Sequence, residues 1–241
     1  MPVYLLDKEL SFPAPEDANE EGIVAVGGDL SPARLLIAYR HGIFPWPARG
    51  YPLLWFSPDP RFALKPSRVH VSRSLRKVIR KAELRVTADT AFAKVITACA
   101  AVPRPHQRGT WITDELQQGY LGLHELGYAH SIEAWRNDRL VGGLYGVALG
   151  TTFSGESMFA SEPDASKVAF TTLLAHLAIW GFRIVDCQVH TEHLARFGAT
   201  MWPRDRFLST WRAGVEEPSL MAPWQLTMPP AQVLEQLRPG R

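Results

Sequence analysis

The stretch HSIEAWRNDRLVGGLYGVALGTTFSGESMF, His130 to Phe159, decides the fold. Together with Ala129, its first six residues alternate between apolar and polar, the period of a half-buried strand. Asn137 and Asp138 supply a tight hairpin turn, LVGGLYGVAL (140–149) returns, and TTFSGESMF (151–159) reads as a third strand. An almost wholly apolar helix from Ser166 to Trp180 follows, carrying Val168, Phe170, Leu173, Leu174, Leu177 and Ile179 and ended by Gly181. RIVDCQVHTEH (183–193) is then a short buried strand, succeeded by a short helix through Leu194 to Phe197 and a last strand near Met201. The order is an antiparallel meander joined by a right-handed crossover to a parallel strand. It makes FSGESMF and VDCQV neighbours in one sheet.

Upstream, the first sixty residues are rich in proline and glycine. Ser31 before Pro32 marks a helix start, and the helix should run from Pro32 to about Arg40 and stop before Gly42. Phe44, Trp46, Trp55 and Phe56 sit among prolines with no amphipathic period. They fit either a satellite core beneath loops or a stacking platform for a base. SRSLRKVIRKAE (72–83) predicts a helix with Leu75, Val78 and Ile79 inward. A second helix is expected from Ala88 to Ala101, and a third from Asp114, capped by Thr113 and closed by Gly127. The last twenty residues, punctuated by prolines, read as a wrapping tail. The class is α+β, with a small N-terminal α/β unit over residues 1–64 and a larger one over 65–241.

A chain of 241 residues, 46% apolar, can bury a substantial core. The N-terminus lacks the pattern of a secretory signal, and no apolar run approaches the ~20 residues of a membrane span, so a cytoplasmic protein is expected. Cys99 and Cys187 are the two cysteines, both in apolar settings, which disfavours a disulfide framework or a thiolate zinc site. The net charge of +2 conceals an asymmetry. Arg61, Lys65, Arg68, Arg73, Arg76, Lys77, Arg80, Lys81 and Arg85 stand against the single acid Glu83. Such a run is either a solvated helix face or an electrostatic footprint for a polyanion.

No P-loop, dinucleotide fingerprint, HExxH or GxSxG elbow is present. His190 and His193 have no third ligand nearby and are read as structural or substrate contacts rather than a metal pair. What remains is a polar set on the two neighbouring strands: Ser154, Glu156 and Ser157 on one, Asp186 and Gln188 on the other. In regular strands Glu156 shares a face with Ser154 and Met158, while Asp186 and Gln188 point one way and Cys187 the other. Buried carboxylates need a partner or a task. This set is suited to orienting an amine and taking its proton, since an α-amine of pKa ~8 needs only a weak base when its electrophile is activated. A hydrogen-bonded network that only fixes the fold is the other reading.

The runs GGDLSPARLL (27–36), GIFPW (42–46), WFSPDPR (55–61), GTWIT (109–113), HSIEAW (130–135), LVGGLYGVALG (140–150), FSGESMF (153–159) and DCQV (186–189) together resemble the leucyl/phenylalanyl-tRNA–protein transferase family, in the family's order over most of the chain. The resemblance implies a larger domain like the acyl-CoA-dependent N-acyltransferases. It implies transfer of leucine or phenylalanine from aminoacyl-tRNA to a protein's N-terminal arginine or lysine, which marks that protein for degradation. The donor ester is already activated, so no ATP, other cofactor or metal is implied, and no membrane. By the same resemblance Asp186 would polarise Gln188, and the pair would help the amine attack the aminoacyl carbonyl. Trp46 and Trp111 match aromatics near the tRNA's terminal adenosine. Leu144, Met158, Phe170 and Leu173 are the expected side-chain pocket, and Glu156 fits either the donor's amino group or the acceptor's basic side chain. Arg73, Arg76, Lys77, Arg80 and Lys81 become the expected tRNA contacts.

The chain departs from the family's pattern at Phe56, where a second tryptophan is expected, at Asp164 of DASK, and at Thr191 and Glu192, which replace asparagine and aspartate. Two rival functions have the same elements. A coenzyme A-dependent N-acyltransferase would need a glycine-rich, anion-accepting turn before the crossover helix, where this chain has MFASEPDASK (158–167). A non-catalytic tRNA-binding protein would account for the basic helix and the aromatics, but not for Asp186 with Gln188.

Overall fold

The computed structural model describes residues 3–47, 50–102 and 110–238. Gly109 of the GTWIT run lies outside them. The N-terminal part contains β1 (Tyr4–Leu6), β2 (Ile23–Gly27), α1 (Pro32–Arg40), β3 (Phe44–Pro45) and β4 (Leu54–Phe56). Then come β5 (Arg61–Leu64), α2 (Arg73–Lys81), β6 (Arg85–Ala88), α3 (Phe92–Ala101) and α4 (Asp114–Glu125). The meander is β7 (Ala129–Arg136), β8 (Arg139–Leu149) and β9 (Thr152–Ala160). It is followed by α5 (Ala165–Ile179), β10 (Ile184–Gln188), α6 (Glu192–Ala195), β11 (Thr200–Trp202), α7 (Arg204–Val215) and α8 (Pro230–Gln236).

Two sheets form, as the α+β reading requires. The smaller has the order β1-β2-β4-β3, and the larger β11-β5-β10-β9-β8-β7-β6. The predicted crossover is present: β10 lies parallel to β9, with Asp186 beside Ser154, whereas the other pairings of the large sheet are antiparallel. Alternation along β8 separates two cores. Tyr145, Val147 and Leu149 face α1, α3, α4, α7 and the small sheet. Leu144 and Ala148 face α2, α5 and α8. The large sheet is therefore covered on both sides, which is why α5 is buried almost all round.

Predicted helix starts hold where a cap fixes them. Ser31, Ser72 and Thr113 each accept a backbone N–H from the first turn of α1, α2 and α4. Where no cap stood in the sequence, the boundary moves. Ala88 ends strand β6, paired with Ile132, and Asp89, at φ 57°, turns the chain so that α3 starts at Phe92 rather than at Ala88. Arg61–Leu64, inside the expected 1–64 unit, hydrogen-bonds into the large sheet between β10 and β11. The elements expected from the sequence end near Met201. Beyond it, α7 buries Phe207, Leu208, Trp211 and Val215, and the wrapping tail contains α8. Among the described residues no helix is long and apolar enough to cross a membrane, and no three His, Cys, Asp or Glu side chains converge as a metal site would require.

Candidate active site

β9 and β10 pair only from Ile184 beside Thr152 to Asp186 beside Ser154. Past that point β9 continues to Ala160, and the gap opens into a cavity of about 430 Å³ lined by Gly155–Ala160 and Val185–Val189. A splayed pair of parallel strands interrupts the sheet, so the cavity reaches side chains from both cores: Trp46, Trp111 and Tyr145 from one, Leu144 and Phe170 from the other.

Both strands bulge where they part. On β9 the pairing with β8 shifts between Tyr145, opposite Ser157, and Gly146, opposite Gly155, which leaves Glu156 as the extra residue. Gly146 is required there, because a Cβ would stand 2.2 Å from the Ser154 carbonyl oxygen. On β10 the register against β5 shifts between Asp186 and Gln188, and Gln188 takes φ 61°. Bulges re-aim side chains, and here they bring two polar groups together. Gln188 Nε2 donates to Glu156 Oε1 at 2.9 Å.

Glu156 is 8% exposed and accepts three hydrogen bonds. Ser154 Oγ donates to Oε1 at 3.0 Å, Tyr120 donates to Oε2 at 2.7 Å, and the Tyr39 hydroxyl stands 2.5 Å from that of Tyr120. Burial pushes the Glu156 carboxyl above the usual range, against the pull of the Tyr120, Gln188 and Ser154 donors. Burial, and then the charge of Glu156, likewise raise the Tyr120 and Tyr39 phenols, which stay donors. The Tyr120, Ser154 and Gln188 donors take three of the roughly four acceptor sites of the Glu156 carboxyl and leave one on Oε2 for a further donor.

Asp186 has a partner that the sequence reading did not name. Its carboxylate is 1% exposed and forms a two-pronged ion pair with Arg61, Nε to Oδ1 at 2.8 Å and Nη2 to Oδ2 at 2.5 Å. Oδ1 also accepts the Gln188 backbone N–H at 2.8 Å. Asp186 thus bonds the backbone of Gln188 and not its side-chain amide. Cys187 is buried in the α5-side core as expected, although it also borders the cavity. Burial and then the Asp186 charge push its thiol far up, so it stays protonated.

The structure brings Trp46, Trp111, Leu144, Glu156, Met158, Phe170, Asp186 and Gln188 onto one cavity. Trp46 and Trp111 stack there, with ring centres 5.4 Å apart. Leu173 does not reach it and lies fully buried in the packing of α5. Arg73, Lys77, Arg80 and Lys81 are exposed on α2. Arg76 is engaged instead: it donates to Val71 O, and it caps the end of α8 through Leu234 O at 3.3 Å and Leu237 O at 3.2 Å. Of the two histidines, His193 lines the cavity and His190 packs on Phe62.

Sequence reasoning missed Arg61, Tyr39 and Tyr120. The two tyrosines lie on helices far from the strands in sequence, with nothing local to single them out. Arg61 did carry a signal: a charge opening the apolar run RFAL is a strand residue whose head must find a buried partner.

The sequence profile described as Leucyl/phenylalanyl-tRNA protein transferase matches residues 63–212, and the profile of that transferase's N-terminal domain matches residues 28–59. Three relatives described as leucyl/phenylalanyl-tRNA–protein transferases align along almost their whole length. The protein of Myxococcus xanthus (strain DK1622) is 58% identical over 226 residues, 93% of this chain and 97% of that one. That of Anaeromyxobacter sp. (strain Fw109-5) is 55% identical, over 94% and 96% of the two chains. That of Syntrophus aciditrophicus (strain SB) is 52% identical, over 93% and 94%.

Proposed function

This chain belongs to the leucyl/phenylalanyl-tRNA–protein transferase family, a family of aminoacyltransferases working from tRNA to a protein N-terminus, and we propose that it transfers leucine or phenylalanine to N-terminal arginine or lysine. The new N-terminal residue then serves as a degradation signal on the acceptor protein.

The observation that carries the reading is the Gln188–Glu156 bond at the wall of a cavity that also holds the Trp46–Trp111 stack. Gln188 commits its Nε2 to Glu156, which leaves its carbonyl oxygen to accept an N–H from the incoming amine. Polarised in this way, the neutral amine attacks the ester carbonyl. The carbon–nitrogen bond forms, the ester C–O bond breaks, and the proton lost by the amine ends on the departing 3′-hydroxyl of the terminal adenosine. Trp46 and Trp111 offer that adenosine a stacking face. Leu144, Met158 and Phe170 form the slot for the transferred side chain, wide enough that leucine and phenylalanine are weakly separated. Glu156 takes the remaining ammonium, the donor's α-amino group or the acceptor's basic head. The exposed cations of α2 are suited to tRNA phosphates.

The coenzyme A reading has no support at the start of α5. Asp164 occupies its N-cap position and pairs with Lys167, and Glu162 is held by Arg136 and Arg139, so the helix start already carries carboxylates. The test is transfer of radiolabelled leucine from Leu-tRNA to a peptide beginning with arginine, with a peptide beginning with alanine as control. Label confined to the arginine peptide is expected. An unlabelled arginine peptide would refute the reading, and label on both would refute the acceptor preference.

A further inference from the structure

Arg61 is among the largest side chains buried completely, at 1% exposure, and it joins four segments. It opens β5, one residue before Phe62, which stands opposite Gln188. Its guanidinium grips both oxygens of Asp186 on β10. One ring packs over the guanidinium from β3, Phe44 at 4.5 Å, and another from α7, Phe207 at 4.6 Å. Two aromatic faces fix the plane of the fork, and the fork fixes the plane of the carboxylate.

The carboxylate makes one further bond, accepting the N–H of Gln188. Gln188 sits at φ 61°, a conformation that side-chain-bearing residues avoid without a local partner. The linkage runs from the two rings to Arg61, to Asp186, to the turned backbone of Gln188, and so to the amide bonded to Glu156. We infer that Arg61 is a positioning residue for aminoacyl transfer, and that the Arg61–Asp186 ion pair acts by holding Gln188 in its bulged conformation rather than by Asp186 accepting the proton of the attacking amine. The inference rests on the transfer reaction proposed above. Although Asp186 borders the cavity, its two oxygens are already committed by three bonds, two from Arg61 and one from the Gln188 N–H. Displacement of a catalytic group by a fraction of an ångström is felt in turnover more than in binding.

The test compares Arg61→Lys, Arg61→Met and the double variant Arg61→Met/Asp186→Asn with the wild type in the peptide-labelling assay. Arg61→Lys keeps the charge but loses the second parallel bond, and should lower kcat about tenfold with both KM values within about threefold of wild type. Arg61→Met leaves a buried carboxylate alone and should lower kcat about a hundredfold. The neutral double variant keeps an oxygen facing Gln188 N and should recover about tenfold of that loss.

Wild-type kcat in Arg61→Lys, or losses confined to KM, would overturn the positioning role. A double variant that melts like the wild type yet is no faster than Arg61→Met would show that the Asp186 carboxylate itself is needed in the chemistry, overturning the second half of the inference. If Arg61→Met does not fold, the lysine variant decides. Failure of the wild type to label the peptide refutes the transfer reading, whereas an active wild type with unaffected variants refutes only the role of Arg61.

Discussion

Glu156 and Gln188 meet across the gap between β9 and β10 because β9 bulges at Glu156 and β10 between Asp186 and Gln188, and the 2.9 Å bond between them is the product of two irregularities. Replacing Gln188 with glutamate would set two carboxyls in that space, where both cannot ionise together. Gln188→Glu should therefore lose about a hundredfold in turnover near pH 8, and its rate relative to wild type should rise as pH is lowered and one carboxyl protonates. Rate profiles of the two proteins over the same buffers give the ratio. A flat ratio would show that residue 188 is not in contact with Glu156 during turnover.

Asp186→Ala removes the partner of a fully buried guanidinium. Breaking such a pair costs about 3–5 kcal/mol, so the melting temperature should fall together with kcat, while affinity for aminoacyl-tRNA stays near wild type. Filter binding and thermal unfolding on the same preparation separate the two effects. A parallel loss of tRNA affinity would place Asp186 in the tRNA site instead.

The meander, the crossover and the parallel placing of β10 beside β9 were legible because strand and helix periods are long-range averages that survive local error. The site was legible in composition but not in geometry. Alternation put Asp186 and Gln188 on one face, and it was the family resemblance that implied Asp186 polarises Gln188; the bulge between them breaks the period, and Asp186 meets Gln188 at its backbone N–H. Arg61 was visible as one charge in a basic run, and only β5 lying between β10 and β11 shows that it is the partner of Asp186 and not part of the surface. Leu173 failed as a pocket residue for a similar reason. On a helix buried almost all round, apolar character cannot tell which side faces a cavity and which the core.

Leu144 stands opposite Met158 in the register of β8 and β9, and both border the cavity. Leu144→Phe narrows the slot from one wall without touching Glu156. It should lower kcat/KM for phenylalanyl-tRNA about tenfold more than for leucyl-tRNA, the scale on which apolar pockets discriminate. Competition between the two charged tRNAs measures the ratio, and an unchanged ratio would remove Leu144 from the pocket.

The five basic residues of α2 should divide into two groups. Replacing Arg73, Lys77, Arg80 and Lys81 with alanine should weaken tRNA binding and flatten its dependence on salt, by about 0.7–0.9 in the log–log slope for each phosphate that is no longer neutralised. Arg76→Ala should leave that slope unchanged and lower the melting temperature, because its guanidinium holds α8 through Leu234 O and Leu237 O. An unchanged slope in the fourfold variant would mean that the helix face is merely solvated.

The C-terminal tail should make the fold sensitive to acid. His176 on α5 lies 2.8 Å by Nδ1 from Thr172 O, so that nitrogen carries the proton, and Nε2 accepts the backbone N–H groups of Thr227 and Met228 at 3.0 and 3.3 Å. A second proton would turn that acceptor into a donor facing two donors. His130, stacked at 3.6 Å on Trp224 and bonded by Nδ1 to Asp89, holds the same tail. Burial lowers both histidines below their ordinary value. The native state therefore binds fewer protons than the unfolded chain, and stability rises with pH in that window. The contribution is complete above the unfolded histidine pKa of about 6.5 and declines as pH falls toward the lower native value. Thermal midpoints should be level from about pH 8 to 7 and fall below about 6.5. Burial also lowers His41 and His193, so His176→Gln should reduce this fall without abolishing it. Hydrogen exchange at pH 6 should open the Thr227 and Met228 amides before those of β8. Equal protection of the tail and β8 at that pH would show that His176 is not the latch.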